Sequence, residues 1–195
     1  MAPRSSTIAF PEGPLARFLF ADTRASIIWL IVRLYVGYQW LEAGLSKLGG
    51  EVWTGDKAGV AIAGFAKGAL AKTTGDHPDV QGWYAWFLSN LVIPNAKLFS
   101  ILVAVGETAV GIALILGILT GIAAFFGVTM NANYLLAGTV STNPVLIILG
   151  AVVMLAWRNA GYIGLDRFVL PALGTPWFPG KFFSGRKATR SESAA

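Results

Sequence analysis

Residues 97–138 read KLFSILVAVGETAVGIALILGILTGIAAFFGVTMNANYLLAG, two long apolar runs either side of Gly117-Ile118-Leu119-Thr120-Gly121. A helix needs roughly 20 mainly apolar residues to cross about 30 Å of hydrocarbon, and each run supplies that length. The glycine-flanked link leaves room only for a tight turn, so the two helices must be antiparallel neighbours. Working outward, the segment at 24–48 qualifies as a further span. So does 144–162, entered through Ser141-Thr142-Asn143-Pro144, a short turn with a helix-starting proline. Spans at 24–48, 97–116, 118–138 and 144–162 predict an all-α membrane protein, a four-helix transmembrane bundle.

Composition points the same way. The chain has 195 residues, 55% hydrophobic and only 13% charged, too apolar for an ordinary soluble domain. One membrane domain is expected over 24–165, between an N-terminal tail (1–23) and a basic C-terminal tail (166–195). The net charge of +5 resides mainly in the tails and one loop, a distribution that fits membrane topology rather than nucleic-acid binding. With no cysteine there can be no disulfide, Cys-ligated iron–sulfur cluster, thiolate zinc site or Cys nucleophile. The single histidine, His77, cannot supply two axial haem ligands, so no metal or haem is expected. Redox chemistry would require a quinone, a flavin or a partner subunit. The first 25 residues hold Arg4, Arg17 and Arg24 among Pro3, Pro11 and Pro14 without an apolar run, so the first span is expected to act as an uncleaved insertion signal.

The connection at 49–96 is far longer than a turn, and such connections are often functional. Residues 58–71 are small and glycine-rich. Residues 82–93 carry Trp83, Tyr84, Trp86 and Phe87 and end at Pro94. This second part reads as an interfacial or re-entrant helix at headgroup depth, or as a plain aromatic-belt anchor. His77, within Asp76-His77-Pro78-Asp79, reads as a solvated loop residue. Lys and Arg near the span ends favour both termini on the cytoplasmic side and the long connection outside. The N-terminal tail has three, and the C-terminal tail has Arg167, Lys181, Arg186, Lys187 and Arg190. Lys57, Lys67 and Lys72 in the connection are offset by Glu51, Asp56, Asp76 and Asp79.

Ionisable groups inside spans are costly and usually face the bundle interior. They are Arg33, Glu42 and Lys47 in the first span, Glu107 in the second and Arg158 in the fourth, with Asn131 and Asn133 in the third. Counted at 1.5 Å per residue, Arg33 lies about 14 Å and Glu107 about 15 Å from the inner ends of their helices, so the two are expected to face each other. They form either a site or a structural ion pair. Glu42 and Lys47 sit nearer the outer surface, and Arg158 is close enough to the inner end to snorkel. Arg33, Gly37, Trp40, Gly44 and Lys47 share one helix face, and Glu107 shares another with Gly111. Glycines there permit close packing or leave room for a bound group. Asn131 is the better candidate than Asn133 for the interior, beside Gly127 and Tyr134.

These residues, taken in order, resemble the DoxX family. The matching segments are Arg33-Leu34-Tyr35-Val36-Gly37-Tyr38-Gln39-Trp40-Leu41-Glu42-Ala43-Gly44 with Lys47, then His77-Pro78, Trp83-Tyr84, Pro94-Asn95, Gly106-Glu107, 131–134 and 141–144. Gly161-Tyr162-Ile163-Gly164-Leu165-Asp166-Arg167 completes the set. The closer resemblance is to the DoxD-type large subunit of thiosulfate:quinone oxidoreductase. It implies a four-helix protein of a bacterial or archaeal plasma membrane that oxidises thiosulfate to tetrathionate and passes electrons to quinone. It also implies a partner, either a small DoxA-like subunit or a larger membrane complex.

On that reading the catalytic candidates are Arg33 and Lys47, as cations for a dianion, with Glu107 and Glu42 as proton relays. Trp40, Gly44, Asn131 and Trp83 are the candidates for holding a quinone, in a cavity between the first two spans covered by 83–87. The alternative is a non-enzymatic accessory or scaffold subunit whose polar groups only join helices. A transporter fits less well, since four spans show no internal repeat.

Overall fold

The computed structural model describes residues 12–175, in which every regular element is helical. In chain order these are α1 (Pro14–Ala21), a 3-10 turn (Thr23–Ala25), α2 (Ser26–Leu48), α3 (Val60–Leu70) and α4 (Gly82–Phe87), which continues into a π-helical turn (Leu88–Val92). Then follow α5 (Ala96–Leu116), α6 (Thr120–Leu136), α7 (Asn143–Leu155), α8 (Trp157–Ala160) and α9 (Asp166–Leu173). Arg4, Pro3 and Pro11, and Lys181, Arg186, Lys187 and Arg190, lie outside the described residues.

The link between α5 and α6 is as tight as its glycines suggested. Gly117 takes a left-handed conformation (φ 64°) that caps α5, and Leu119 is also left-handed (φ 48°). A non-glycine residue in that region is strained. Asp166 secures the turn from the far end of the chain, its carboxylate oxygens accepting from the backbone N–H groups of Leu119 (2.6 Å) and Thr120 (2.9 Å). At the other end of the sequence, Asp22 starts the 3-10 turn by accepting from the Arg24 backbone N–H (2.9 Å). Side-chain and backbone hydrogen bonds from Arg24 hold the Asp22 carboxyl down at about 2.

Glycines set how α2 meets α5. A methyl group on Gly44 would overlap the Thr108 backbone, and one on Gly111 would overlap the Leu41 backbone. Gly37 lies against Leu114 and Ile115. This seam, with α5 against α6, α6 against α7 and α7 against α2, surrounds a core of Trp29, Val36, Trp40, Val110, Leu114 and Val153. A second core lies under the long connection, where Ile62 and Ala66 of α3 pack with Tyr84, Leu88 and Val92.

The helix bounds differ from the sequence reading. The helix expected over 144–162 breaks at Ala156, dividing α7 from α8. Among the described residues, Ala96–Leu116 is the one helix long and apolar enough to cross a membrane by length and composition alone. α2 is longer but carries Arg33, Glu42 and Lys47, while α6 has 17 residues and α7 has 13. The surface is nonetheless strongly apolar. Ile31, Leu102, Phe126 and Ile148, on four different helices, are all more than half exposed, which is unusual for a surface facing water.

Candidate functional site

Three side chains from three helices form a buried polar chain. Glu107 of α5 is almost wholly enclosed. Its Oε2 accepts from Lys47 Nζ of α2 (2.6 Å), and its Oε1 accepts from the Tyr134 hydroxyl of α6 (2.6 Å). A carboxylate taken out of water requires such charged or hydrogen-bonded partners on both oxygens. Lys47 is the member nearest solvent. It also reaches the Ala43 carbonyl (3.4 Å) and lies over the Trp53 ring, 5.1 Å from its centre. Trp53 is fixed in turn by its own carbonyl, which accepts from Ser100 of α5 (2.7 Å).

The Tyr134 end of this chain opens on an apolar cavity of about 270 Å³ between α3, α4, the π-helical turn, α5 and α6. Its walls include Phe65, Tyr84, Phe87, Phe99, Met130 and Tyr134. The rings brace one another, Phe65 edge-on to Tyr134 and Phe87 edge-on to Phe99, with centres 6.1 and 6.2 Å apart. Tyr84 donates to the Asn133 backbone carbonyl (2.9 Å), and burial pushes its hydroxyl up to about 12, so it is a neutral donor. The π-helical turn supplies Leu88 and Val92 to the lining. Such turns are frequent at functional sites because they shift side chains off the α-helical register.

The expected pairing of Arg33 with Glu107 does not form. Gly44 opposite Thr108 and Gly111 opposite Leu41 fix the register of the seam, which puts Glu107 level with residue 45. Arg33 is twelve positions away along α2, about 18 Å at 1.5 Å per residue. It lies instead beneath the α5–α6 turn, where Nη2 donates to the Ile163 carbonyl (2.7 Å) and Nη1 occupies the space a side chain at Gly117 would need. Arg33 Nε and Nη1 have no partner among the described residues. Equal distances from the helix ends do not bring Arg33 and Glu107 level because α2 and α5 do not end in one plane.

Nor does a cavity lie between α2 and α5, because the glycines expected to leave room there bring the backbones into contact. Gly44 is packing surface. Trp40 is buried against Gly127 and Val110, away from the aromatic cavity, and Trp83 is exposed, edge-on to Tyr84. Glu42 faces outward and makes no ion pair among the described residues. Asn131 is enclosed one turn from Tyr134, and neither of its amide atoms has a partner among the described residues. Of the named candidates, then, Lys47 and Glu107 come together, Asn131 lies on the helix that brings Tyr134 to them, and Arg33, Glu42, Trp40 and Trp83 lie elsewhere. The sequence marks Tyr134 only as an interior neighbour of Asn131. Its hydroxyl, a donor in an otherwise apolar helix, was the available signal.

The DoxX family model matches residues 28–139, from the first turn of α2 to the end of α6. The chain belongs to the DoxX family. No curated protein and no solved structure matches it. The DoxX region contains Lys47, Glu107 and Tyr134 and the whole aromatic cavity, and DoxX membership agrees with the exposed apolar helix surfaces of a membrane protein. Among the described residues no group of acidic and histidine side chains could hold a metal ion.

Proposed function

We propose that this DoxX protein is the membrane-embedded, quinone-binding subunit of an oxidoreductase, with thiosulfate as the electron donor. The single observation carrying the reading is that the Lys47, Glu107 and Tyr134 chain ends on the wall of the aromatic cavity. Flat apolar walls carrying the rings of Tyr84 and Tyr134 suit a quinone ring, and 270 Å³ is close to the range of small-molecule sites. A bound quinone would accept two electrons and two protons. The chain's own part is a relay: with Glu107 protonated by way of Lys47 from the side near Trp53, the Tyr134 oxygen would take the Glu107 proton as its own hydroxyl proton passes to a ring oxygen.

Thiosulfate comes from the resemblance to the DoxD-type large subunit, and its coupling to tetrathionate releases two electrons, matching the quinone. Arg33, enclosed beneath a turn, is not accessible to such a dianion, so Lys47 or a small DoxA-like partner is the better place for it. We further propose four membrane crossings, by α2, α5, α6 and α7 with α8, in a bacterial or archaeal plasma membrane with both termini cytoplasmic. The Lys and Arg distribution supports this orientation. Because the chain has no cysteine, Asp76→Cys gives a unique label, expected to react from outside intact cells; reaction only after lysis would invert the topology.

The functional test is thiosulfate-driven reduction of a short-chain quinone by membranes containing the chain, with and without a small partner subunit. Reduction in either case supports the reading. Its absence in both, with the chain folded and inserted, favours a non-enzymatic scaffold, for which the closed α2–α5 seam and the Arg33 clamp are sufficient purpose.

A further inference from the structure

We propose that the α8–α9 end of the molecule binds one anionic phospholipid, with the phosphate between Arg158 and Arg167 and an acyl chain along the neighbouring apolar groove. This rests on the membrane reading of the fold and is independent of the quinone. Two adjoining hollows carry it. The first, of about 190 Å³, is lined by Trp157, Arg158, Tyr162, Arg167 and Asp166, among others. The second, of about 340 Å³, is lined almost wholly by apolar groups, including Leu119, Ile122, Met154 and Leu173. Trp157, Leu170 and Thr175 line both, so the arginine-bearing cleft runs into the apolar groove.

The chemistry of the cleft selects an anion. Neither Arg158 nor Arg167 has a carboxylate partner among the described residues. Each guanidinium is held beside an aromatic ring, Arg158 at 5.8 Å from the Trp157 centre and Arg167 at 5.5 Å from that of Tyr162. Arginine matches phosphate geometry with paired N–H groups. Asp166 is the acid in the lining, but both its oxygens are taken by the backbone N–H groups of Leu119 and Thr120. A free phosphate would leave the groove unexplained, whereas a phospholipid fills both hollows. α9 supports the same placement, with Phe168 strongly exposed beside Arg167, as on helices that lie in the headgroup layer. Arg158 and Arg167 lie outside residues 28–139, whereas Leu119 and Ile122 of the groove lie within them.

The test uses the full chain, delipidated in detergent and then given equal amounts of phosphatidylglycerol and phosphatidylcholine with identical acyl chains, with retained lipid read by native mass spectrometry. Wild type should retain phosphatidylglycerol preferentially. Arg158→Gln with Arg167→Gln should reduce that retention about tenfold or more, as expected for losing charge-assisted hydrogen bonds. Met154→Trp, which fills the groove without altering charge, should reduce retention of both lipids. Equal retention of the two lipids by wild type, or undiminished phosphatidylglycerol in the double variant, overturns the proposal. Glycerol phosphate binding as tightly as phosphatidylglycerol would also overturn it, since the groove would then contribute nothing.

Discussion

Under the proposed function Tyr134 is the residue on which the chemistry turns, because its hydroxyl joins a charged network to an apolar cavity. Replacing it by Phe keeps the ring against Phe65 and removes only the hydrogen bond to Glu107. Tyr134→Phe should therefore lower quinone reduction about a hundredfold, the lower range for loss of a positioned proton donor. The accompanying loss of stability should be about 1–3 kcal/mol, as for a hydrogen bond to a charged group, read from thermal denaturation in detergent. Full activity in the Phe variant would remove Tyr134 from the relay. Much of this was legible at the residue scale. Lys47, Glu107 and Asn131 stand out from the sequence because polar groups in apolar helices are expensive. Which of them meet was not legible, since a single charge along a helix fixes its depth only as well as the helix end is known. Arg33 shows the consequence: it serves a turn that the sequence brings to it from residues 117 and 163.

At the scale of elements, the α2–α5 seam decides where every polar group lies. The spacing of Gly37 and Gly44 on one helix and the position of Gly111 on the other were visible in the sequence, but close packing and an open pocket read the same there. Contact of Gly111 with the Leu41 backbone resolves the two. Gly111→Val should force the helices apart, costing about 1–3 kcal/mol or more by overpacking, and should lower the melting temperature of the purified chain. Because Glu107 is one turn away, the same variant should weaken quinone reduction. An unchanged melting temperature would mean that the seam is looser than described. The aromatic segment 82–93 was legible as a helix, and its end as a π-helical turn was not, since the buried Tyr84, Leu88 and Val92 stand at the four-residue spacing that an α-helix also shows. Leu88 and Val92 of that turn line the cavity wall.

The proposals place function at two ends of the molecule. One, under the long connection, holds the aromatic cavity and the Lys47, Glu107 and Tyr134 chain. The other gathers α1, α8 and α9 with Arg17, Arg24, Arg158 and Arg167. The location of the cavity follows from how the connection folds back. α3, which the sequence marks only as small and glycine-rich, packs on α5 and the π-helical turn and walls in a space that α5 and α6 alone would leave open. The measurement that tests this most directly is photolabelling of the inserted chain by a photoreactive quinone analogue, followed by mapping of the modified residues. Labels on α3, α4, the start of α5 or the end of α6, around Phe65, Tyr84, Phe87, Phe99 and Tyr134, and competed away by excess quinone, are the expected result. Labels confined to the surfaces of α7 and α9, or labelling that excess quinone does not compete, would contradict it.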